Sequence, residues 1–190
     1  MTDQEDKLRA DAQANRDRIL DVARDALAAD PAVSLNAIAK AAGVGAGTLY
    51  RHFPNREALV LAVYRKEIDV LVALAPALIA EHTPLKAFRL WCDQLARFGR
   101  MKNGFADLLH AARPNADFEE TYWPILNAVR QLMDACEASG EIRAGNNAED
   151  FLMLVGLMWR IPPTPAGEAR VKRLLALALR GLCAEDAPDT

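Results

Sequence analysis

The sequence predicts an all-α protein, with an N-terminal three-helix unit organised around a helix-turn-helix and a longer helical domain behind it. Three observations carry this expectation. Apolar residues recur at i, i+3, i+4 and i+7 in one segment after another, which marks amphipathic helices. No alternating β-branched run is long enough to suggest a sheet. The stretch from Ser34 to Phe53, SLNAIAKAAGVGAGTLYRHF, reads as two short helices joined by a tight turn.

Composition sets the outer bounds. A chain of 190 residues that is 52% hydrophobic and 26% charged can bury a real core, which excludes disordered and collagen-like classes. The formal net charge is only −3, so any nucleic-acid contact must come from local charge. Between Ile38 and Lys66 lie Lys40, Arg51, Arg56, Arg65 and Lys66 against the single acid Glu57, a local excess of +4. The three cysteines, Cys92, Cys136 and Cys183, are far apart and form no C-x-x-C pair, so they read as reduced, semi-buried small hydrophobes. The N-terminus is charged and lacks the apolar core of a signal peptide, and no run approaches the roughly 20 apolar residues of a membrane span, so a cytoplasmic protein is expected.

Taken in order, residues 1–14 are polar and are expected to form a mobile arm. A first helix is expected from about Asn15 to Ala29, on Ile19, Val22, Ala23, Ala26 and Leu27, with Asp30 and Pro31 ending it. The next has Ser34 as N-cap, Leu35, Ile38, Ala39 and Ala42 on one face, and Gly43 where the chain must take positive φ. In the third, Leu49 and Phe53 are four apart and point inward, turning Thr48, Arg51 and His52 outward. That geometry suits a reader of the DNA major groove, although helix-turn-helix units also serve as plain packing corners. Pro54 and Asn55 break the third helix, and Asn55 caps a fourth, about 56–75, which Pro76 should kink or end.

Thr83 and Pro84 open a fifth helix with Leu85, Phe88, Trp91, Cys92 and Leu95 inward. Phe105, Leu108, Leu109 and Ala112 mark a short sixth, stopped by Pro114. A seventh, about Asp117 to Ser139, carries Tyr122, Ile125, Leu126, Val129, Leu132, Met133 and Cys136, with Pro124 as a kink. From Phe151 to Trp159 the chain is apolar on every side and should be buried all round. The last helix, about Ala166 to Cys183, offers Val171, Leu174, Leu175, Ala178 and Leu182 on one face and leaves Leu177 and Leu179 for another. Two terminal helices with surplus apolar surface suggest a symmetric helical dimer, with Leu154, Met158, Leu174, Leu175, Ala178, Leu179 and Leu182 as its interface.

The wording of the organising stretch is more specific than its periodicity. IAKAAGVGAGTLYRHFPNREAL resembles, almost position by position, the DNA-binding signature of the tetracycline-repressor (TetR) family of bacterial regulators. The resemblance rests on Ala42, Gly43 and Val44 at the turn, Gly47, Thr48, Leu49 and Tyr50 through the recognition helix, and His52 and Phe53 at its close. It covers about Arg16 to Val72; beyond that, similarity is architectural. It implies a DNA-binding domain over 15–66 and a ligand-binding and dimerisation domain over 76–190, linked through the fourth helix. It further implies that Thr48, Tyr50 and His52 contact the DNA backbone, that the terminal helices form a four-helix bundle with their symmetry mate, and that Arg9, Arg16 and Arg18 lie where relatives place backbone-contacting arginines.

Arg56 stands in the first turn of a helix, whose positive end disfavours a cation, and a nearby phosphate would explain it as it does the basic residue at that place in the family. The chain departs from the commoner pattern at Gly45, often a Ser or Thr cap, and at Ala46, often a polar base reader. Direct readout then falls to Thr48, Arg51 and Asn36, with Ala46 limited to a thymine methyl and part of the specificity left to DNA shape. The expected DNA-contact set is Asn36, Ala46, Gly47, Thr48, Tyr50, Arg51, His52 and Arg56.

Phe88, Trp91, Leu95, Phe98, Leu109, His110, Tyr122, Trp123 and Leu126 combine bulky apolar groups with a few polar tips, the mixture that lines small-molecule sites, although an ordinary filled core uses the same residues. The resemblance implies an apolar or aromatic effector there. Enzyme motifs are missing: Asp107 and His110 have no second copy for a di-metal bundle, and there is no H-E-x-x-H, nucleophile elbow or phosphate-cradling loop. No catalytic residue, metal or cofactor is expected. The reading is a homodimeric transcription regulator, a repressor released from an inverted-repeat operator by a small effector. The alternative is a helical protein-interaction module that keeps the fold without binding DNA.

Overall fold

A computed structural model of the chain describes residues 2–104, 118–162 and 164–183. Among them are eight helices: α1 (Thr2–Ala29), α2 (Leu35–Ala41), α3 (Ala46–His52), α4 (Arg56–Glu81), α5 (Pro84–Gly104), α6 (Phe118–Ala138), α7 (Ala148–Met158) and α8 (Pro165–Leu182). The described β-structure is one isolated bridge between Ile142 and Cys183, so the all-α expectation holds. The short helix expected over Phe105 to Ala112 lies outside the described residues, and Asp107, Leu109 and His110 with it. No described helix is long and apolar enough to cross a membrane. The chain divides into two compact units at Lys66/Glu67, inside α4.

The first unit packs α1, α2 and α3 against one another, and Arg56 and Lys66 tie the start of α4 to them. Ile19, Leu20, Ala23 and Leu27 of α1 are buried with Ile38, Ala39, Leu49, Phe53, Val60 and Val63. α1 begins at Thr2 rather than near Asn15, so the stretch expected to form an arm is helical. Its Glu, Lys, Arg, Ala and Gln residues are good helix formers, its early acids suit the positive end of the helix, and Gln13 donates to the Asp17 carboxylate one turn on at 3.0 Å. Periodicity could not find this extension, because residues 9–14 are exposed and present no apolar stripe.

In the second unit α4 runs through Pro76 to Glu81, so of the two outcomes expected at Pro76, a kink or an end, the helix does not end there. Pro76 sits on the exposed side, where water can solvate the carbonyl that its missing N–H leaves without a helical partner. Trp91 is fully buried and donates its indole N–H to the Leu71 carbonyl at 2.8 Å, and Phe88 meets Phe151 with ring centroids 5.0 Å apart. At the start of α5 the Glu141 carboxylate accepts from Leu85 N at 3.1 Å and from Ser139 Oγ at 2.8 Å, an anion where the helix dipole favours one.

The last two helices correct two expectations. α7 is buried along Ala148, Phe151, Leu152, Val155 and Met158; Met153, Leu154 and Leu157 are exposed, Leu157 at 61%. On α8 the inward stripe steps by four through Gly167, Val171, Leu175 and Leu179, so Leu175 (4% exposed) and Leu179 (5%) belong to the protomer's own core. Met158 is buried likewise, and Ala178 and Leu182 are half-buried. Of the residues chosen for a dimer face only Leu154 and Leu174 are exposed, and they lie with Met153, Leu157 and Leu177, which the sequence reading left out of that face.

Gly99 is fixed by its neighbour: a Cβ placed there would lie 2.1 Å from Cδ1 of the Trp159 indole, which also meets Phe98 edge-on. Gly99→Ala is expected to cost about 1–3 kcal/mol by overpacking, read as a lower midpoint in denaturant unfolding at unchanged slope.

Candidate nucleic-acid interface

The site is assembled from local rules. Ser34 Oγ accepts from Ala37 N at 3.1 Å and starts α2. Gly43, at φ +66°, turns the chain, while Val44 N reaches back to the Ala39 carbonyl at 3.0 Å. Gly45 precedes α3 without a side-chain cap, as its lack of a hydroxyl dictates. Leu49 and Phe53 are buried, and this seating turns Tyr50 outward at 44% exposure. Asn36, Ala46, Gly47 and Arg51 are exposed, and Thr48 and His52 are half-buried. Apart from its chain neighbours and its own helix backbone, no protein atom lies within 4 Å of where a Cβ on Gly47 would sit, so the surface there is open. Arg51 lies back along its helix, donating from Nε to the Gly47 carbonyl at 3.2 Å and from an η nitrogen to Thr48 Oγ1 at 3.4 Å. All eight residues picked from sequence are thus at least partly accessible, seven of them on α2 and α3 and the half-buried Arg56 at the start of α4.

The eighth has protein partners. The Arg56 guanidinium donates to the backbone carbonyls of Val33 and Pro31, dipoles that favour a cation at this helix end. Asn55 caps α4 as expected, accepting from Ala58 N at 2.8 Å. Lys66 is also engaged: Nζ pairs with the Asp21 carboxylate at 2.9 Å and donates to the Asp17 carbonyl at 3.2 Å, which locks α4 to α1. Of the five cations counted in the local excess of +4, Lys40, Arg51 and Arg65 are exposed, whereas Lys66 is paired with Asp21. Arg16 stands 5.6 Å from the centroid of the Phe53 ring, a cation–π contact that braces the end of α3.

The pocket residues chosen from sequence separate in the second unit. Phe88, Trp91, Leu95, Phe98 and Leu126 are buried in its core, and Tyr122 is half-buried. Trp123 is 46% exposed, because it shares a helical stripe with the exposed Asn127, Arg130 and Asp134 rather than with Leu126. Leu109 and His110 lie outside the described residues. A cavity of about 10 Å³ is lined by Ala96, Val155, Met158, Trp159, Val171 and Leu175, and a polar groove of about 360 Å³ runs from Arg130 and Glu137 to Gly145 and Glu149; neither includes a predicted pocket residue. Burial pushes the Cys92 thiol well above its ordinary range, with Asp93 adding to it, and pushes Cys136 up to about 12, with Glu141 and Cys183 adding. Both thiols stay protonated and inert as nucleophiles.

Comparison with known proteins matches both parts of the chain. Residues 19–63 match the family described as bacterial regulatory proteins, tetR family, and residues 83–184 match the C-terminal domain of SbtR-like transcriptional regulators. A TetR transcriptional regulator from Streptomyces coelicolor, known from its crystal structure, is 36% identical, with 90% of this chain and 99% of that one covered and a TM-score of 0.82. A TetR transcription regulatory protein from Mycobacterium vanbaalenii is 30% identical over 93% of this chain and 99% of that one, with a TM-score of 0.74. An HTH-type transcriptional regulator of Staphylococcus aureus is 37% identical over 67 residues, 34% of this chain and 36% of that protein, so the chain spans little more than a third of the curated relatives it matches.

Proposed function

The chain belongs to the TetR family of bacterial transcriptional regulators, and from that premise we propose that it is a homodimeric repressor whose α3 reads the major groove of an inverted-repeat operator. The observation that carries the reading is the seating of α3, where Leu49 and Phe53 are buried and Thr48, Tyr50, Arg51 and His52 remain within reach of a ligand. Thr48, Tyr50 and His52 position the helix on phosphates, with Gly47 leaving room for close backbone approach. Arg51, Asn36 and Thr48 read base edges, and Ala46 touches a thymine methyl. Residues 15–66 act as the reader and 76–190 as the effector and dimer domain.

A dimer follows from the need for genomic specificity. One short helix covers few base pairs, and two related by a two-fold axis meet successive major grooves about 34 Å apart. The face that suits a symmetry mate is Met153, Leu154 and Leu157 of α7 with Leu174 and Leu177 of α8, a surface of large apolar groups exposed on two packed helices. The effector would be apolar or aromatic, held among Phe88, Trp91, Leu95, Phe98 and Leu126 of α5 and α6. It acts only through its differential affinity for the two states of the dimer. α4, continuous from Arg56 to Glu81, carries the change.

Three measurements test this reading. Selection of genomic fragments on the purified protein is expected to enrich an inverted repeat. On it, Tyr50→Phe and His52→Ala should weaken binding about three- to tenfold, equally on operator and unrelated DNA, whereas Arg51→Ala and Thr48→Val should change which operators are preferred. Recovery of no palindrome would favour the interaction module. Leu154→Glu or Leu177→Glu is expected to give folded monomers in sedimentation with lost operator affinity, and variants that stay dimeric would move the interface elsewhere. An effector is expected to perturb the fluorescence of the buried Trp91, read with Trp123 and Trp159 replaced by Phe, and to lower operator affinity at the same concentration; a broad library of hydrophobic and aromatic metabolites producing neither would remove the effector site.

A further inference from the structure

Arg56 occupies an unusual place in the chain. It is the first residue of α4, just beyond Pro54 and Asn55, and the carbonyls it holds belong to Pro31 and Val33, just before the Ser34 cap of α2. One side chain therefore ties the two ends of the 34–53 reader together, across 25 and 23 residues of chain. Both anchor points are themselves fixed. On the turn, Asp30 accepts from Ala32 N through its carboxylate at 2.8 Å and from Val33 N through its carbonyl at 3.1 Å. On α4, the Asn55 cap holds the backbone from which Arg56 projects. A planar guanidinium can serve two carbonyls at once from separate nitrogens, and those two dipoles offset the repulsion that a cation meets at a helix N-terminus.

We propose that Arg56 is a positioning residue for DNA recognition: through two of its five N–H donors it clamps the turn before α2 to the start of α4 and fixes the pose of α3, and it acts on DNA binding through that clamp instead of through a phosphate. The inference rests on the DNA-binding reading. A phosphate contact, a clamp and a purely stabilising role differ in what they do to binding. Losing a phosphate contact weakens all DNA equally and lowers the salt slope. Losing the clamp leaves the slope alone and erodes operator more than unrelated DNA, because base readout needs α3 in register and non-specific attraction does not. Losing stability alone changes neither property of the folded protein.

The test uses the full chain, an operator recovered by selection and an unrelated duplex of the same length, with affinity measured against KCl for wild type, Arg56→Ala and Arg56→Lys. For Arg56→Ala the clamp predicts operator affinity about tenfold lower, a reduced ratio of operator to unrelated binding, an unchanged salt slope, and faster amide exchange at Ile38 in α2 with exchange at Ala23 in α1 unaltered. Arg56→Lys keeps the charge but not the fork, so it is expected to share the loss; should the alanine variant fail to fold, the lysine variant carries the comparison. A slope lower by about 0.9 in the alanine variant, with affinity restored by lysine, would make Arg56 a phosphate contact and overturn the proposal. An operator-to-unrelated ratio equal to wild type in folded variants would overturn it too. Wild-type protein that binds no DNA would sink the DNA-binding reading instead, and amide exchange at Ile38 would still decide whether the clamp exists.

Discussion

The structure of the first unit depends on the burial of Leu49 and Phe53. α3 is seven residues long, and a helix of that length does not persist in water on propensity alone, since isolated helices below about 12–15 residues are marginal. It exists because these two side chains are taken up by α1 and α2. The same contacts decide what is left outside. With two positions of one short helix pinned, the azimuth of each of the others is set, and Tyr50, Arg51 and the exposed backbone at Gly47 acquire a common outward surface. Stability and recognition are thus two sides of one helix.

Around this seat, the cations divide into those that build and those that face outward. Lys66 joins α4 to α1 through Asp21, Arg16 rests against the ring of Phe53, and Arg56 bridges to the turn before α2. Each is attached to an element whose position fixes α3. Charge that a residue count assigns to an interface is in good part the framework that aims it.

What the sequence made legible was local. The Ser34 cap, the positive-φ glycine at 43, the inward pair Leu49 and Phe53 and the Asn55 cap are each decided within one helical turn, and all were found where the residue types place them. What it hid was distant or relative. The carbonyls that hold Arg56 lie 23 and 25 residues away, and Asp21 lies 45 from Lys66, separations over which a one-dimensional pattern has no leverage. The terminal helices failed differently: apolar on too many sides, they gave no contrast from which to tell Leu175 and Leu179 from Leu174 and Leu177, and only the partner helix breaks that tie. The early start of α1 escaped because a helix without a buried face leaves no apolar signature.

The contact between Gly99 and Trp159 bears on how this chain can diverge. The indole occupies the volume in which any other residue at 99 would begin, so the two positions cannot drift independently. A lineage that gains a side chain at 99 while keeping the tryptophan bears the overpacking cost, so glycine at 99 and tryptophan at 159 favour each other. A site on α5 and one just past the end of α7 are in this sense inherited as one, and their joint variation among related chains would record the packing between them without a single coordinate.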